Sequence, residues 1–555
     1  MKRNPNVRYD LKKVFAETIA AGLRRNSFTS CSRWSMQCRM VESATYKGPW
    51  SFKYYPWTKE MHDTDCDFVV GQKAAQMGYT EYALNRVLFS IDVRKMDAMY
   101  LLPSKTPDAS NFSSGRFDTA LELSPYLQNL FTNVKNVAHK RAGTTNLYIR
   151  GARSKSGLKA VPVGILVLDE LEEMPPGNIP LAFERQSGQM KKQTIAISTP
   201  RVDGRGINLY FNRSTKEHFH FPCPKCGKWT ELIFPECLMI TGEHLDDPNL
   251  SKTHLICKEC KNVLDHESKF EWLASGRWVP SHTQRAMRGF YINQLYSPTV
   301  TPYQIAEMYM RAQQNPADEQ EFYNSKLGKT HAVAGARVTD EQINACIKGY
   351  ILGTRPAGST IVTMGVDQGR LLHYHVDSWV VGGGDLQASS RARCIDRGTV
   401  VDFEQLDDLM RKWFVNACVI DAQPERRMAS AYAQRFPGFV WLCFYSNTVR
   451  GKSLKVTKDM SDDIVSVDRT YWLDTALGRF KNQTIALPQD IGFTYKDHIK
   501  APIRIYETEA DGTVIGRYVK ADKDQDHYAH ARCYSEIALN FAVQNSLAHN
   551  IKSPR

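Results

Sequence analysis

The chain has no apolar run approaching the roughly 20 residues that a membrane-crossing helix needs. Internal repeats and long low-complexity segments are also missing, which excludes a solenoid and a largely disordered polypeptide. The start lacks the pattern of a secretion signal: the apolar stretch from Val14 to Leu23 is interrupted by Glu17, and no small-residue cleavage pattern follows. The spacing of Leu11, Phe15, Ile19 and Leu23 instead predicts an amphipathic helix with a basic rim. A disulfide framework is absent too. Of 13 cysteines, nine are scattered singly and four form two Cys-x-x-Cys pairs. These absences together predict a soluble, intracellular protein with reduced thiols and one cysteine metal site.

What is present is ordinary globular material in quantity. Across 555 residues, 42% are hydrophobic and 24% charged, so large cores are expected and two or three domains are the prior. The 72 Lys+Arg against 59 Asp+Glu give a net charge of +13, an excess that favours a polyanionic partner through counterion release.

Short apolar runs separated by helix-like stretches fill residues 50–205: Phe68–Val70, Met99–Leu102, Leu147–Ile149, Ile165–Leu168 and Thr194–Ser198. That rhythm predicts an α/β sheet, parallel by preference. After the first run comes Gly71-Gln-Lys-Ala-Ala-Gln-Met-Gly-Tyr-Thr80, a departure from the usual phosphate loop G-x-x-x-x-G-K-[ST]. Gly78 and Thr80 fit that pattern, Tyr79 stands at the usual lysine position, and Lys73 offers a cation at the front of the loop instead. Alone, the segment reads more readily as an ordinary strand–turn–helix. Val163 to Glu170 is an apolar run ending in two acids, so that Asp169 is placed to hold Mg²⁺ and Glu170 to orient an attacking water. Thr194 to Pro200 is a strand ending in hydroxyls, as a nucleotide-state sensor requires. These three elements in this order favour an ATPase. Tyr54-Tyr55-Pro56-Trp57 reads either as an adenine contact or as core aromatics.

Cys223-Pro-Lys-Cys226 and Cys257-Lys-Glu-Cys260 are two knuckles separated by 30 residues, room for a hairpin or two. Four thiolates suit a structural Zn²⁺ and leave no position open for catalysis. The neighbouring His218, His220, His244 and His254 read as surface residues. Further on, Thr360 to Asp367 and Ala417 to Asp421 are β-rich runs ending in acids, with a second strand expected from His373 to Val381. Asp526-His527 leads into a helical stretch from Arg532 to Val543. Carboxylates at two strand ends and on a later helix predict an RNase H-like site in which Mg²⁺ or Mn²⁺ ions stabilise attacking and leaving oxygens. His530 is open between a helper of that site and a packed residue. Arg355 to Ser359 reads as a linker, and Gly382-Gly383-Gly384 as a turn between strands.

The expected architecture is α/β multidomain: an N-terminal helical region (1–45), a P-loop-type ATPase core (46–205), a zinc-ribbon-like insert (206–290), a connecting segment (291–357) and an RNase H-like nuclease domain (358–555). Over roughly residues 45–545 the chain resembles the large subunit of tailed-phage terminases, in the lambda-like branch. The resemblance rests on a front-lysine loop K-x-x-Q-x-G-x-[ST], matched by Lys73, Gln76, Gly78 and Thr80. It rests also on Gly289–Pro298, Phe322–Gly328 and Asp468-Arg-Thr-Tyr471. It implies ATP-driven movement of double-stranded DNA into a procapsid by a homo-oligomeric ring docked on the portal protein, and cutting of concatemers. It also implies a small terminase subunit that meets the N-terminal region. The setting it implies is the cytoplasm of an infected bacterium, with the protein absent from the mature virion. By resemblance Lys73 takes the phosphates, Thr80 and Asp169 the Mg²⁺, Glu170 the water, and Asp367, Asp421 and Asp526 the nuclease metals. An arginine finger is implied too, open among Arg150, Arg153, Arg201 and Arg205. The run Asp367-Gln-Gly-Arg370 is shorter and more glycine-like than the family pattern. Competing readings are a zinc-ribbon helicase or translocase without the nuclease, an RNase H-like recombinase with an accidental loop, and a zinc-stapled DNA-binding scaffold.

Overall fold

In the computed structural model the described residues are 28–42, 46–132, 134–159, 161–357, 361–459, 462–509 and 512–552. The amphipathic helix expected at 11–23 lies outside them, as do Thr360 and the end of the expected linker. Two compact units divide the chain, 1–331 and 332–555.

The first unit begins, among the described residues, with helix α1 (Cys31–Cys38). Ser30 caps it by accepting from Arg33 N, and it buries Cys31, Trp34 and Cys38. Trp34 Nε1 donates to Asp92 Oδ2 at 2.9 Å, so this part of the N-terminal region is core of the first unit rather than an appendage. The central sheet uses β1 (Phe68–Lys73), then helix α2 (Tyr79–Asp92), β2 (Ala98–Leu102), β3 (Thr145–Gly151), β4 (Ile165–Asp169) and β5 (Gln193–Ser198). Every position of β2, β4 and β5 is buried, as expected where parallel strands are covered on both faces and the sequence runs continuously apolar.

The insert contributes β6 (Glu217–Pro222) and β7 (Arg277–Pro280), and β8 (Arg288–Ile292) follows it. The parallel core has the order β8-β1-β5-β4-β2-β3. Beyond it, β6 pairs parallel with β8 and antiparallel with β7. The insert therefore extends the sheet instead of hanging from it. Between its two knuckles lie Leu238–Met239 and His254–Ile256, which with Val263–Leu264 make a three-stranded antiparallel sheet.

The connecting segment expected at 291–357 divides between the two units. Its first part completes β8 and continues to His331 in the first unit; the remainder belongs to the second. The reason is backbone pairing. Ile292 pairs with Lys73, and Ile292 O accepts from Ala74 N at 2.9 Å, so residues read as a connection are a sheet strand beside β1.

The second unit has β9 (Ile361–Gln368), β10 (Leu372–Val380), β11 (Arg391–Val400), β12 (Ala417–Asp421), β13 (Val440–Tyr445) and β14 (Asp462–Val467). β9, β10 and β11 form an antiparallel meander, while β9, β12, β13 and β14 run parallel. The triglycine segment does lie between β10 and β11. Helix α3 (His527–Lys552) packs on β9. Gly365 permits the closest approach: a Cβ there would stand 2.0 Å from Ala531 O and 2.2 Å from Ser535 N.

Beneath α3 lies a fully buried polar network. Arg532 pairs with Glu536 at 2.6 Å and Asp377 at 3.5 Å, and Arg479 grips Glu536 with two nitrogens at 2.6 Å. Ser535 Oγ donates to Asp377 Oδ2 at 2.8 Å. Charges placed in a core must be paired in this way, because an unpaired one costs several kcal/mol. Among the described residues no helix is long and apolar enough to cross a membrane.

Candidate nucleotide, metal and nuclease sites

Parallel strands bring their C-terminal ends to one edge, where ligands of open α/β sheets bind. Because β5 lies between β1 and β4, the hydroxyls after β5 stand between Lys73 and Glu170. Lys73 is buried and its Nζ donates to Glu170 Oε1 at 3.1 Å and Thr199 Oγ1 at 3.4 Å. Ser198 Oγ donates to Glu170 Oε2 at 3.3 Å. Glu170 itself adopts φ +56°, a left-handed conformation that L-residues rarely take. Such strain costs about 1–3 kcal/mol and persists where surroundings impose it.

Asp169 is 2% exposed. Tyr100 OH donates to its Oδ2 at 2.6 Å, and its Oδ1 has no partner. Burial first, then the charge of Glu170, push its carboxyl up to about 6, against the pull of bonds from Tyr100 and Thr80 and the charge of Lys73. An orphaned buried carboxylate oxygen beside a threonine hydroxyl fits a divalent cation.

The loop is shaped by Gln76 at φ +58° and Gly78 at φ +80°. A Cβ at Gly78 would meet Tyr55 at 3.2 Å on top of the strained φ. Tyr79, at the usual lysine position, is buried in the core: its ring leans on Gly71, where a Cβ would come within 2.5 Å. The departure from the usual loop thus has a packing cause.

Lys73, Gln76, Gly78, Thr80, Glu170 and Thr199 line a cavity of about 1270 Å³. Tyr54 and Tyr55 also line it, whereas Trp57 is wholly buried and donates through Nε1 to Met77 O at 3.0 Å. The core reading holds for Trp57, while Tyr54 and Tyr55 stand at the cavity. None of Arg150, Arg153, Arg201 and Arg205 lines the cavity; Arg39 and Arg116 do. Arg150 is tied to Gly157 O and Arg201 to Glu173.

Cys223, Cys226, Cys257 and Cys260 place their sulfurs within 4.8 Å of one another, with Cys223 and Cys260 Sγ 3.9 Å apart. Zinc–sulfur bonds of 2.3 Å at tetrahedral angles demand sulfurs roughly 3.8 Å apart. The two knuckles are built alike. Gly227 N donates to Cys223 O at 2.9 Å and Lys261 N to Cys257 O at 3.0 Å, each at positive φ. Lys225 N and Glu259 N each donate to the first sulfur of their knuckle at 3.4 Å. The four nearby histidines are not among the ligands; His218, for one, is paired with Glu231 at 2.8 Å.

In the second unit Val366 pairs with Ile420, which brings Asp367 and Asp421 to the same end of adjacent parallel strands. Burial raises the Asp421 carboxyl, and the charge of Asp367 adds to that. Asp526 stands at the start of α3. Burial would raise it, but the bond and charge of His530, with Lys520 and Arg469, hold it at about 2. Among the described residues only the cysteines gather three or more ligand atoms within 4.8 Å. Asp367, Asp421 and Asp526 do not converge to that degree; Asp421 feels the charges of Asp367 and of His530, the partner of Asp526.

His527, not singled out in the sequence, hydrogen-bonds Asp367 Oδ2 through Nδ1 at 2.8 Å and stacks on His373 at 4.4 Å. The sequence signal for it was its place one residue after Asp526 in the first turn of a helix. Gly369 leaves room for it, since a Cβ there would stand 3.2 Å from the imidazole Cε1. The glycine-like run after Asp367 thereby has its reason. His530 is packed: Nδ1 meets Tyr445 OH at 2.9 Å and Nε2 meets Asp526 at 3.3 Å.

The fold defines a class: a parallel-sheet α/β unit with a cavity at its strand ends, joined to an RNase H-like unit with acids at two adjacent strand ends. The family description "Phage terminase large subunit gpA, ATPase domain" matches residues 44–278, and "Terminase large subunit gpA, endonuclease domain" matches 287–421. The chain belongs to the phage terminase large-subunit family. It is 22% identical over 348 residues to the terminase large subunit of Enterobacteria phage P21, covering 56% of this chain and 53% of that protein. The Escherichia phage lambda terminase large subunit is likewise 22% identical over 348 residues, covering 56% and 54%. The chain thus spans about half the length of the curated relatives it matches. The crystal structure of the HK97 bacteriophage large terminase superposes with a TM-score of 0.50 at 11% identity, covering 91% of this chain and 98% of that one, a likeness of fold.

Proposed function

We propose that the chain is the motor and nuclease of a DNA-packaging machine, hydrolysing ATP to move double-stranded DNA and cutting it with divalent metal ions. The observation that carries this reading is the contact of buried Lys73 with Glu170 beside the unpartnered Asp169 oxygen, together with Asp367 and Asp421 at the same end of adjacent parallel strands in the other unit.

At the nucleotide site Lys73, with the loop amides at the start of α2, receives phosphate charge. In the resting arrangement Lys73 occupies Glu170; incoming phosphates compete for the ammonium and free the carboxylate to orient water. Thr80 and Asp169 would hold Mg²⁺, which would supply charge neutralisation at the phosphates. At the nuclease site Asp367, Asp421 and Asp526 would hold Mg²⁺ or Mn²⁺, which would supply stabilisation of the attacking and leaving oxygens of the phosphodiester. His527 and His530 fix the orientation of Asp367 and Asp526. The cysteine cluster holds structural Zn²⁺, so metal analysis of the purified chain should find about one zinc per chain; a value near zero would remove that assignment.

Partners follow from the family: DNA, a small terminase subunit, the portal of a procapsid, and further copies of this chain in a ring, in the infected cell's cytoplasm and not in the finished virion. The test measures ATP hydrolysis and DNA nicking side by side on wild type, Glu170→Ala and Asp367→Ala, with Mn²⁺ and partners present. Loss of only the matching activity in each variant supports two independent sites. Nicking that survives Asp367→Ala while ATPase falls in Glu170→Ala moves the assignment to a translocase without nuclease.

A further inference from the structure

The nucleotide cavity is not closed by the ATPase core alone. His266, Glu267 and Phe270, from the segment that follows the second cysteine knuckle, line it beside Tyr54 and Tyr55. Phe270 lies 6.0 Å from the Tyr54 ring, and Lys53 Nζ sits over it at 4.3 Å.

This wall is anchored at both ends to the cysteine module. On one side it leaves the strand Val263–Leu264, which belongs to the small sheet built around the second knuckle. Asp265 stops the strand by accepting from Ser268 N and Oγ at 2.9 and 2.7 Å. On the other side Trp272 stacks obliquely on Phe221, 4.8 Å between centroids, two residues before Cys223. In the middle Lys269, 1% exposed, ties the wall to Ser297 O at 2.8 Å. The loop is braced from the same direction. Gln294 Nε2 donates to Ala75 O at 2.9 Å, and Asn293 Nδ2 donates to Leu232 O at 2.9 Å. Cys223, Cys257, Trp272, Trp57, Met77 and Tyr79 belong to one continuous core.

We infer that the metal-stapled insert supplies the base-side wall of the nucleotide cavity through Phe270, so that metal binding at the cysteines and ATP binding at the loop are energetically linked. This rests on the ATPase reading above. The polar part of the cavity, with Lys73, Thr80, Glu170 and Thr199, suits triphosphate; the aromatic part, with Tyr54, Tyr55 and Phe270, suits a base. A wall whose position depends on four thiolates holding one ion moves when the ion leaves. Linkage is reciprocal: nucleotide must tighten the metal by the factor by which the metal tightens nucleotide.

The test uses the full chain, a fluorescent non-hydrolysable ATP analogue with Mg²⁺, and inorganic tripolyphosphate as a competitor without a base. Phe270→Ala should weaken the analogue roughly tenfold, the worth of one aromatic–base contact. It should keep its zinc and melting temperature and leave competition by tripolyphosphate unchanged; Phe270→Tyr should restore affinity. In wild type, saturating analogue should slow zinc transfer to a chromogenic chelator, and in Phe270→Ala that protection should shrink. Wild-type affinity in Phe270→Ala, or zinc transfer indifferent to nucleotide in the wild type, overturns the inference while leaving the ATPase reading intact. A wild type that binds tripolyphosphate but no nucleotide overturns both.

Discussion

The two acid-bearing sites are built from the same device, apolar parallel strands that end in carboxylates, yet they are electrostatic opposites. In the first unit Asp169 is buried with hydroxyl partners and one oxygen without a hydrogen bond, while the nearby Lys73 is engaged by Glu170. In the second unit acids are already attended, Asp367 by His527 and Asp526 by His530 and Arg469. On the proposed function, the first site would receive an anion that brings its own cation, and the second would receive cations before a phosphodiester. Similar strand ends acquire different chemistry from what stands opposite them: a lysine on β1 in one case, the first turn of α3 in the other.

The largest effect that tests this contrast is a double dissociation. Lys73→Ala and Glu170→Ala should each lower ATP turnover by about 10²-fold or more, with nicking retained, and Asp421→Asn should do the reverse. Equal loss of both activities in any one of these variants would dissolve the distinction. Next is the network under α3. Arg532→Met leaves Asp377 and Glu536 buried with one partner fewer, which should cost the second unit about 3–5 kcal/mol. Denaturant unfolding should show it, and nicking should fall while ATP hydrolysis stays. A smaller step is His527→Ala. It removes the orienting partner of Asp367 and should lower nicking or metal affinity by about 10–100-fold, checked by Mn²⁺ titration; unchanged values would mean Asp367 needs no orientation.

The smallest effect concerns Lys269, which burial pushes down to about 7. Its folded value lies below its unfolded value of about 10.4, so between those two the unfolded chain binds more protons. Stability of the first unit must then rise with pH across that window. Lys269→Met should flatten the rise in melting temperature measured from pH 7 to pH 10; an unaltered slope would place the pH dependence elsewhere.

Much of this was legible in one sequence because strands buried on both faces must be written as continuous apolar runs. Ile165–Asp169, Gln193–Ser198 and Ala417–Asp421 announce both a strand and the acid or hydroxyl at its end. The paired Cys-x-x-Cys spacing similarly fixes its own geometry, since each pair closes one tight turn whatever surrounds it. His527 and the arginines escaped because their roles depend on partners far away in the chain: His527 meets Asp367 across 160 positions. That Tyr291 and Ile292 belong to a strand beside β1 was not legible, because pairing with β1 is a property of the partner strand, not of the segment.

The sequence by itself therefore determined the continuously apolar strands, the acids at their ends and the cysteine knuckles, since each is set by local sterics or by uninterrupted burial. Tertiary structure alone decided that Tyr79 turns into the core over Gly71, that Lys73 rests on Glu170, and that Phe270 of the insert reaches the nucleotide cavity. The last two join residues roughly 100 to 200 positions apart, and all three depend on the packing of sheet, helix and insert.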